Sequence, residues 1–307
     1  MQRLIILTLG LVLAACSSID YNLPAVSSDT DGSRRAGKFI WHDLISDNPK
    51  GTAAFYGGLF GWEFRSLELL GADYWVISLQ GTPIAGMVKQ SSIKAQRDIS
   101  QWVSVISVAD AGAALKVVSE AGGTVLREPV SIGDRGTIAV FADAQGAHFA
   151  TLTTPAGDPR DSDSLLEEGA FLWHELWTSD VAAATKLYAQ LGELDAGMLS
   201  IDSLEGADEE EGGKVDYRVL RSDKLARAGI RSLPDPQMPS LWMPYLRVES
   251  VERLEQLLRR VPELGGEVLV PAMPRPAGGY VSVIAGPSGA PIALQTWGND
   301  QPLLKDL

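Results

Sequence analysis

The sequence predicts an α+β protein built from two tandem domains. The segment Phe39-Ile40-Trp41-His42-Asp43-Leu44 recurs 132 residues later as Phe171-Leu172-Trp173-His174-Glu175-Leu176. Further along, the offset becomes 143, from Gly122-Gly123 to Gly265-Gly266. A constant offset that then grows indicates a duplicated domain with insertions in its second copy. Each copy also shows two successive patterns of one strand, one helix and three strands, so we expect four βαβββ units.

The first unit shows how capping residues, turn residues and strand-forming residues define the predicted elements. A strand over 39–46 leads into a helix over 49–59, for which Asn48 supplies the cap and Pro49 the first position. Gly61 ends this helix. Three short segments of strand-forming residues, separated by turn residues, complete the unit.

The same criteria predict the other three units. Their strand and helix pairs are 101–108 with 109–121, 171–178 with 181–191, and 241–248 with 251–261. The predicted organisation is a first domain over 37–155, a polar linker over 156–169, a second domain over 170–298 and a tail over 299–307.

The amino terminus predicts export and lipid attachment. The basic start Met1-Gln2-Arg3 precedes a run of apolar residues that is too short to span a bilayer. The following Leu13-Ala14-Ala15-Cys16 resembles the lipobox of bacterial lipoproteins. The resemblance implies a signal peptide over 1–15 and lipid on Cys16, which would anchor the chain to the bacterial cell envelope. Ser17-Ser18 favours the periplasmic face of the outer membrane. A plain signal peptide with an incidental cysteine is the alternative.

Composition limits the remaining possibilities. Residues 16–36 are rich in Ser, Asp and Gly, which favours a flexible tether. The net charge of −13 argues against nucleic acid as a partner, because nucleic acid binding needs basic surface. The acidic run Asp208-Glu209-Glu210-Glu211 is more typical of a solvated loop than of a cation site.

Two motifs carry a family resemblance. Trp41-His42-Asp43-Leu44 is followed by Ala53-Ala54-Phe55-Tyr56-Gly57-Gly58-Leu59-Phe60-Gly61-Trp62. The turns Asp143-Ala144-Gln145-Gly146 and Gly286-Pro287-Ser288-Gly289 precede the last strand of each domain. Together with the paired βαβββ units, these residues resemble the vicinal oxygen chelate superfamily (glyoxalases, bleomycin resistance proteins and extradiol dioxygenases), in its glyoxalase-like hydroxylase subgroup. The resemblance implies two open cups of curved mixed sheet, each with its ligand inside.

The same resemblance bears on metal binding. Metal-dependent members of the superfamily hold a divalent ion between the first and the last strand. The resemblance places these positions at Trp41 and Ala150 in the first domain and at Trp173 and Ala293 in the second. None of these side chains can bind a metal. No cofactor is therefore expected.

Strand alternation selects the residues that face each cup. It puts Asp43 on the face of Trp41 and Glu175 on the face of Trp173, so these carboxylates are the candidate catalytic residues. The histidine beside each tryptophan then points to the other face. We expect it there in a hydrogen bond between sheet and helix.

A divalent metal in a shifted site is the alternative. The three histidines of the chain, His42, His148 and His174, are the candidate ligands. His148 could meet Asp43 across the first cup, and Gln295 could meet the matching carboxylate of the second. A register slip of one residue would bring the other two histidines inside.

A tryptophan lies near the start of the first strand in all four units, which indicates either core packing or an aromatic lining for the cups. The predicted ligand-binding residues are Trp41, Trp102, His148, Trp173, Trp177, Trp242 and Gln295. These residues favour an envelope lipoprotein that binds a small aromatic or amphipathic molecule without a metal. Two other functions remain open: a metal-dependent lyase or dioxygenase of the glyoxalase type, and a structural or partner-binding lipoprotein.

Overall fold

The computed structural model shows two mixed sheets of eight strands each, which confirms the α+β class and the tandem arrangement. It describes residues 23–69, 72–93, 99–162, 164–198, 216–222, 225–275 and 278–297. Cys16, the acidic run 208–211 and the tail 299–307 lie outside the described residues.

The element order repeats the βαβββ pattern four times. The first domain contains β1 (Phe39–Ser46), α1 (Pro49–Phe60), β2 (Glu63–Leu69), β3 (Ala72–Leu79), β4 (Thr82–Lys89), β5 (Gln101–Ser107), α2 (Ala111–Glu120), β6 (Thr124–Ser131), β7 (Thr137–Ala142) and β8 (His148–Thr153). The second contains β9 (Phe171–Thr178), α3 (Val181–Gly192), β10 (Asp195–Met198), β11 (Arg218–Ser222), β12 (Leu225–Ser232), β13 (Leu241–Val248), α4 (Val251–Glu263), β14 (Glu267–Pro274), β15 (Tyr280–Ala285) and β16 (Pro291–Thr296).

Each domain joins its two units in one sheet. The strand orders are β2-β3-β4-β1-β5-β8-β7-β6 and β10-β11-β12-β9-β13-β16-β15-β14. The first strands of the two units meet at the centre, where β1 pairs antiparallel with β5 and β9 with β13. Each first strand also pairs in parallel with the last strand of its own unit. The inner face of each sheet is the cup that the resemblance implied.

The helices begin where the sequence supplies a capping side chain. Asn48 Oδ1 accepts a hydrogen bond from the Gly51 N–H at 3.1 Å, and Pro49 is the first residue of α1. The other three helices are capped in the same way by Asp110, Asp180 and Ser250. Such a bond satisfies one of the N–H groups that lack a partner at a helix start. No helix in the described ranges has the length and apolar character needed to cross a membrane.

The helices cover the outer face of each sheet and pack across the domain boundary. α1 and α4 share one apolar cluster, in which Phe55 and Leu257 are fully buried. α2 and α3 share a second cluster, which contains Val118 and Tyr188. Each cluster takes one helix from each domain, so the two domains have their outer cores in common.

A pair of histidines also joins the domains. His42 Nε2 and His174 Nε2 lie 2.6 Å apart, within hydrogen-bond distance. The His42 ring stacks on Phe171 with centroids 3.7 Å apart, and the His174 ring stacks on Phe39 at 4.0 Å. The expectation of a histidine between sheet and helix is therefore corrected. Each histidine lies between β1 and β9, where the other domain supplies its partner.

Residues 23–36, predicted as part of a flexible tether, lie against the first domain and the linker. Leu23 and Val26 are buried. Asp158 of the linker accepts a hydrogen bond from the Arg35 N–H at 2.6 Å. Composition indicated a tether because most of the segment is polar. Two apolar side chains and a set of backbone partners nevertheless dock it.

Candidate functional site

The first candidate site is the carboxylate of Asp43, on the cup face of β1. Asp43 Oδ1 accepts hydrogen bonds from Tyr74 OH at 2.8 Å and from Trp41 Nε1 at 3.1 Å. Burial raises the pKa of Asp43, although the nearby Arg135 guanidinium acts to lower it. Burial also raises the pKa of Tyr74, so its hydroxyl keeps its proton at neutral pH. The carboxylate is thus fixed by two aromatic donors.

Arg135 closes this cup. It lies in the Gly133–Arg135 turn between β6 and β7, and only 2% of its surface is exposed. Its guanidinium carbon lies 4.1 Å from the centre of the Trp41 ring, and its Nη1 donates to Tyr74 OH at 2.7 Å. Its Nε donates to the carbonyl of Pro24 at 3.0 Å. Arg135 therefore connects the cup to the amino-terminal segment.

That segment fills the first cup. The side chains of Leu23 and Val26 belong to the apolar cluster that forms the inner surface of the cup. The Leu23 N–H donates to the carbonyl of Ile132 at 3.0 Å, and the Arg135 N–H donates to the carbonyl of Leu23 at 3.1 Å. The interior of this cup is therefore occupied by the chain itself.

The second candidate site is Glu175, on the cup face of β9 and only 1% exposed. Its Oε1 accepts hydrogen bonds from Trp177 Nε1 at 2.7 Å and Tyr245 OH at 3.0 Å. Its Oε2 accepts from Tyr217 OH at 2.9 Å and from Arg275 Nη2 at 3.4 Å. Burial raises the pKa of both tyrosines, which keeps their hydroxyls protonated as donors. Both carboxylate oxygens therefore already have donors.

Two arginines flank Glu175. Arg275 Nη1 donates to Gln295 Oε1, and because a guanidinium only donates, this contact fixes the orientation of the Gln295 amide. Gln295 Nε2 is buried and has no hydrogen-bond partner among the described residues. On the other side, Arg231 Nη1 lies 3.9 Å from Glu175 Oε1. The buried Nε of Arg231 is also without a partner in the described part of the chain.

In each cup, one glycine makes room for the tyrosine. Tyr74 with Gly86 and Tyr217 with Gly229 are related by the same offset of 143 residues. A Cβ at Gly86 would overlap the Tyr74 hydroxyl and Asp43 Oδ1. A Cβ at Gly229 would overlap the Tyr217 hydroxyl. These hydrogen bonds therefore require a residue without a side chain at both positions.

A cavity of about 250 Å³ lies at one end of the second cup, beneath the interdomain linker. Trp173 and Trp297 form part of its apolar wall. Lys38 and Arg227 stand at its polar edge, where Asp161 pairs with them at 3.0 Å and 2.6 Å. The volume is close to the lower bound of roughly 300 Å³ for ligand pockets, so the cavity suits a compact molecule.

The positions implied for metal ligands do not fit a divalent cation. Trp41 aligns with Ala150 across the middle strand of the first sheet, and Trp173 aligns with Ala293 in the second. Indole and methyl groups offer no ligand atom. Within the described residues, no group of three His, Cys, Asp or Glu side chains is close enough to hold an ion.

Some predicted ligand-binding residues face the cups and others do not. Those on the cup side include Trp41, Trp173, Trp177 and Gln295. Trp102 lies instead in the α1–α4 cluster and Trp242 in the α2–α3 cluster, which corrects their assignment to the cups. Trp102 pairs with Leu44 and Trp242 pairs with Leu176 across the central strands. Paired residues point to the same face, and these leucines face the helices.

The residues suggested for a shifted metal site have other contacts in the structure. His148 Nδ1 lies 2.8 Å from Gln101 Oε1, at the start of β8, whereas Asp43 is held by aromatic donors. Gln295 does meet Glu175, but through Arg275, which contacts both.

Sequence reasoning missed the tyrosines and the arginines of the cups. The repeated spacing from Tyr74 to Gly86 and from Tyr217 to Gly229 was a usable signal for the tyrosines. The arginines gave none, because Arg135 and Arg275 lie in turns outside the repeated motifs.

Comparison with known proteins agrees with this architecture. Residues 38–151 match the model of the Glyoxalase/Bleomycin resistance protein/Dioxygenase superfamily. DnrV of Streptomyces peucetius, an anthracycline biosynthesis protein, is 29% identical over 245 residues, which cover 76% of this chain and 83% of that protein. DauV of Streptomyces sp. strain C5, also an anthracycline biosynthesis protein, is 31% identical over 169 residues. This match covers 51% of this chain and 61% of the length of DauV.

A solved structure shows the same fold over most of the chain. The Mn(II)-bound glyoxalase from Novosphingobium aromaticivorans superposes with a TM-score of 0.58 at 15% identity, covering 88% of this chain and 85% of its own. At this identity the likeness establishes the fold alone. The chain therefore carries a glyoxalase/bleomycin resistance/dioxygenase superfamily domain at residues 38–151, followed by a second domain of the same fold.

Proposed function

We propose that the protein is an envelope-anchored lipoprotein that binds a small aromatic or amphipathic molecule in its second cup without a metal. The observation that carries this proposal is the cavity of about 250 Å³ bounded by Trp173 and Trp297. Indole rings offer large apolar faces to a planar ligand together with one polar N–H group. Such walls are typical of small-molecule sites.

The contrast between the cups favours the second. Leu23 and Val26 are buried inside the first cup, at 7% and 4% exposed, and leave its aromatic side chains covered. Leu165 and Leu166 of the linker pack against the second cup but are only partly buried. The cavity lies beside them. The second cup therefore combines an aromatic wall with open space.

The chemistry of the side chains supports binding without a metal. The positions implied for metal ligands carry tryptophan and alanine, and the oxygens of Glu175 are already bonded. Asp43 and Glu175 then serve to orient the aromatic side chains around them. A catalytic role for either carboxylate stays a prediction. The anthracycline biosynthesis relatives support an aromatic class of ligand, because anthracyclines contain fused aromatic rings.

The proposed anchor would keep the domains near the membrane. If lipid is attached to Cys16, only residues 16–22 separate it from the docked Leu23. Seven residues span at most roughly 25 Å when extended. The second cup would then sample ligands close to the membrane surface.

A calorimetric titration tests the ligand site. The full chain in detergent with excess EDTA is titrated with 2-naphthol, and protein-free micelles serve as the blank. We expect one site per chain. Ala226→Phe, which fills the cavity, should weaken binding at least tenfold, whereas Ala182→Phe on the exposed face of α3 should not. An absence of binding, or equal binding by the two variants, would contradict the proposal.

A further inference from the structure

We propose that the second cup holds an anionic group, so that its ligand is a small aromatic acid. This inference rests on the proposed function and specifies the class of ligand. It follows from the balance of charge among the described residues of the cup, from two donors that lack acceptors there, and from a chain of hydrogen bonds that connects the cavity wall with Glu175.

Among the described residues of this cup, positive charge exceeds negative charge. Arg231, Arg247 and Arg275 reach it, and Glu175 is the one carboxylate that the described residues place among them. Arg247 is 6% exposed and lies on the same face of β13 as Tyr245. Its Nε donates to the carbonyl of Trp297 at 2.8 Å, and within the described part of the chain it forms no ion pair.

The first cup provides the comparison. In the described part of that cup, the carboxylate of Asp43 faces one guanidinium, that of Arg135, and Tyr74 bridges the two. The charges are balanced, and protein atoms fill the space. The two cups share a tyrosine, a tryptophan and a carboxylate at matching positions, so the added cations are what distinguishes the second cup.

Two buried donors in the second cup point to a missing acceptor. Gln295 is fully buried, and the hydrogen bond from Arg275 to its Oε1 fixes the orientation of its amide. In this orientation its Nε2 has no partner among the described residues. Arg231 Nε has no partner there either. A carboxylate offers two acceptor oxygens and no donor, and its hydrogen bonds to a guanidinium are stronger than those of a neutral group. It can therefore satisfy either donor and offset the excess positive charge.

A chain of hydrogen bonds leads from the cavity wall toward the unpaired groups, which do not themselves line the cavity. Trp173 lines the cavity, and its Nε1 donates to Tyr217 OH at 3.2 Å. Tyr217 OH in turn donates to Glu175 at 2.9 Å. Arg231 lies farther along the same pair of strands, opposite Trp177. A ring that packs on Trp173 can therefore direct an acidic substituent along β9 toward the arginines that approach Glu175, Arg231 and Arg275.

Paired titrations with 2-naphthoate and 2-naphthol test this inference on the full chain in detergent. The two probes share their rings and differ in charge. We expect the natural protein to bind 2-naphthoate at least tenfold more tightly. Gln295→Glu keeps an oxygen for Arg275 but replaces the free donor with an acceptor and adds a negative charge. The ratio of the two dissociation constants should then fall to about one.

Two further variants complete the test. Arg231→Gln removes one of the cations at the half-exposed edge of the cup and should lower the ratio even if Gln295→Glu does not fold. Arg259→Gln removes an exposed arginine from α4 and should preserve the ratio. Equal affinity of the natural protein for both probes would overturn the inference but leave the proposed function standing. Binding of neither probe would overturn both.

Discussion

His42 Nε2 and His174 Nε2 meet at 2.6 Å, although the two residues occupy equivalent positions in different copies of the repeat. Both rings also stack on a phenylalanine from the other copy. The motif that marks the duplication therefore also builds the contact between the two domains. Its histidines act at the domain boundary, while the neighbouring tryptophans and carboxylates face the cups.

This contact predicts acid sensitivity. Burial lowers the pKa of His42 to about 3 and holds the pKa of His174 well below its usual value. Both histidines titrate near ~6.5 when unfolded, so below that pH the unfolded chain binds more protons than the folded one. The free energy of unfolding should fall as the pH drops below about 6.5, by up to roughly 1.4 kcal/mol per pH unit for each histidine. Just above this pH, the two histidines should leave the free energy of unfolding unchanged. Urea unfolding between pH 7.5 and 5.5 measures this slope.

A double variant isolates the pair. His42→Gln with His174→Gln removes both titrating groups and leaves two neutral amides at the contact, so most of the slope should disappear. His148→Gln, away from this contact, should keep it. An unchanged slope in the double variant would show that other groups cause the acid sensitivity.

Arg135→Lys should release the amino-terminal segment. A lysine cannot bond the Pro24 carbonyl and the Tyr74 hydroxyl together while it stacks on Trp41. Trypsin should then cleave after Arg34 or Arg35 at least tenfold faster than in the natural protein. Arg259→Lys on exposed α4 is the control. Equal cleavage rates in both variants would mean that Arg135 does not hold the segment.

Gly229→Ala should destabilise the second domain. The added methyl group overlaps the Tyr217 hydroxyl and displaces the donor that holds Glu175. We expect the free energy of unfolding to fall by roughly 2–4 kcal/mol, from overpacking and the loss of a buried hydrogen bond. Gly112→Ala in α2 should instead be neutral or add about 0.5–1 kcal/mol. Similar urea midpoints for the two variants would contradict the role assigned to Gly229.

Cys16→Ser should abolish lipid attachment. The proposed anchor uses the only thiol in the chain, so radiolabelled palmitate should enter the natural protein and Ser17→Ala but not Cys16→Ser. The variant should also leave the membrane fraction. Label in Cys16→Ser would rule out this anchor.

Divalent metals should leave the melting temperature unchanged. A tightly bound ion at 100 times its dissociation constant would add about 2.7 kcal/mol to the free energy of unfolding. Zn²⁺, Mn²⁺, Fe²⁺ and Ni²⁺ are therefore added in turn to EDTA-treated protein during a thermal scan. A clear increase in Tm with any of them would show a site that the described side chains do not reveal.

The sequence could predict what depends on local pattern and on the repeat. The offset of 132 residues located both domains, and strand alternation placed Asp43 with Trp41 and Glu175 with Trp173. The capping residue Asn48 located the start of α1. The strand faces and the helix start are decided by residues close together in the chain, and the two domains by a repeat that the sequence itself displays.

The features that were missed depend on contacts between distant segments. Trp102 turns toward the helices because it pairs with Leu44, and neither residue alone reveals that register. Leu23 docks because Ile132 and Arg135 offer backbone partners more than a hundred residues away. Arg275 enters the second cup from a turn, where no periodic pattern constrains the direction of a side chain.

Hydrogen–deuterium exchange of the full chain with excess EDTA, with and without 2-naphthoate, shows which cup binds the ligand and whether binding needs a metal. A ligand in the second cup should slow exchange in β9 and β12, around Trp173 and Ala226, and leave β1 and β4 unchanged. Protection confined to β1 and β4, or protection that appears only after a metal is added, would contradict a metal-independent site in the second cup.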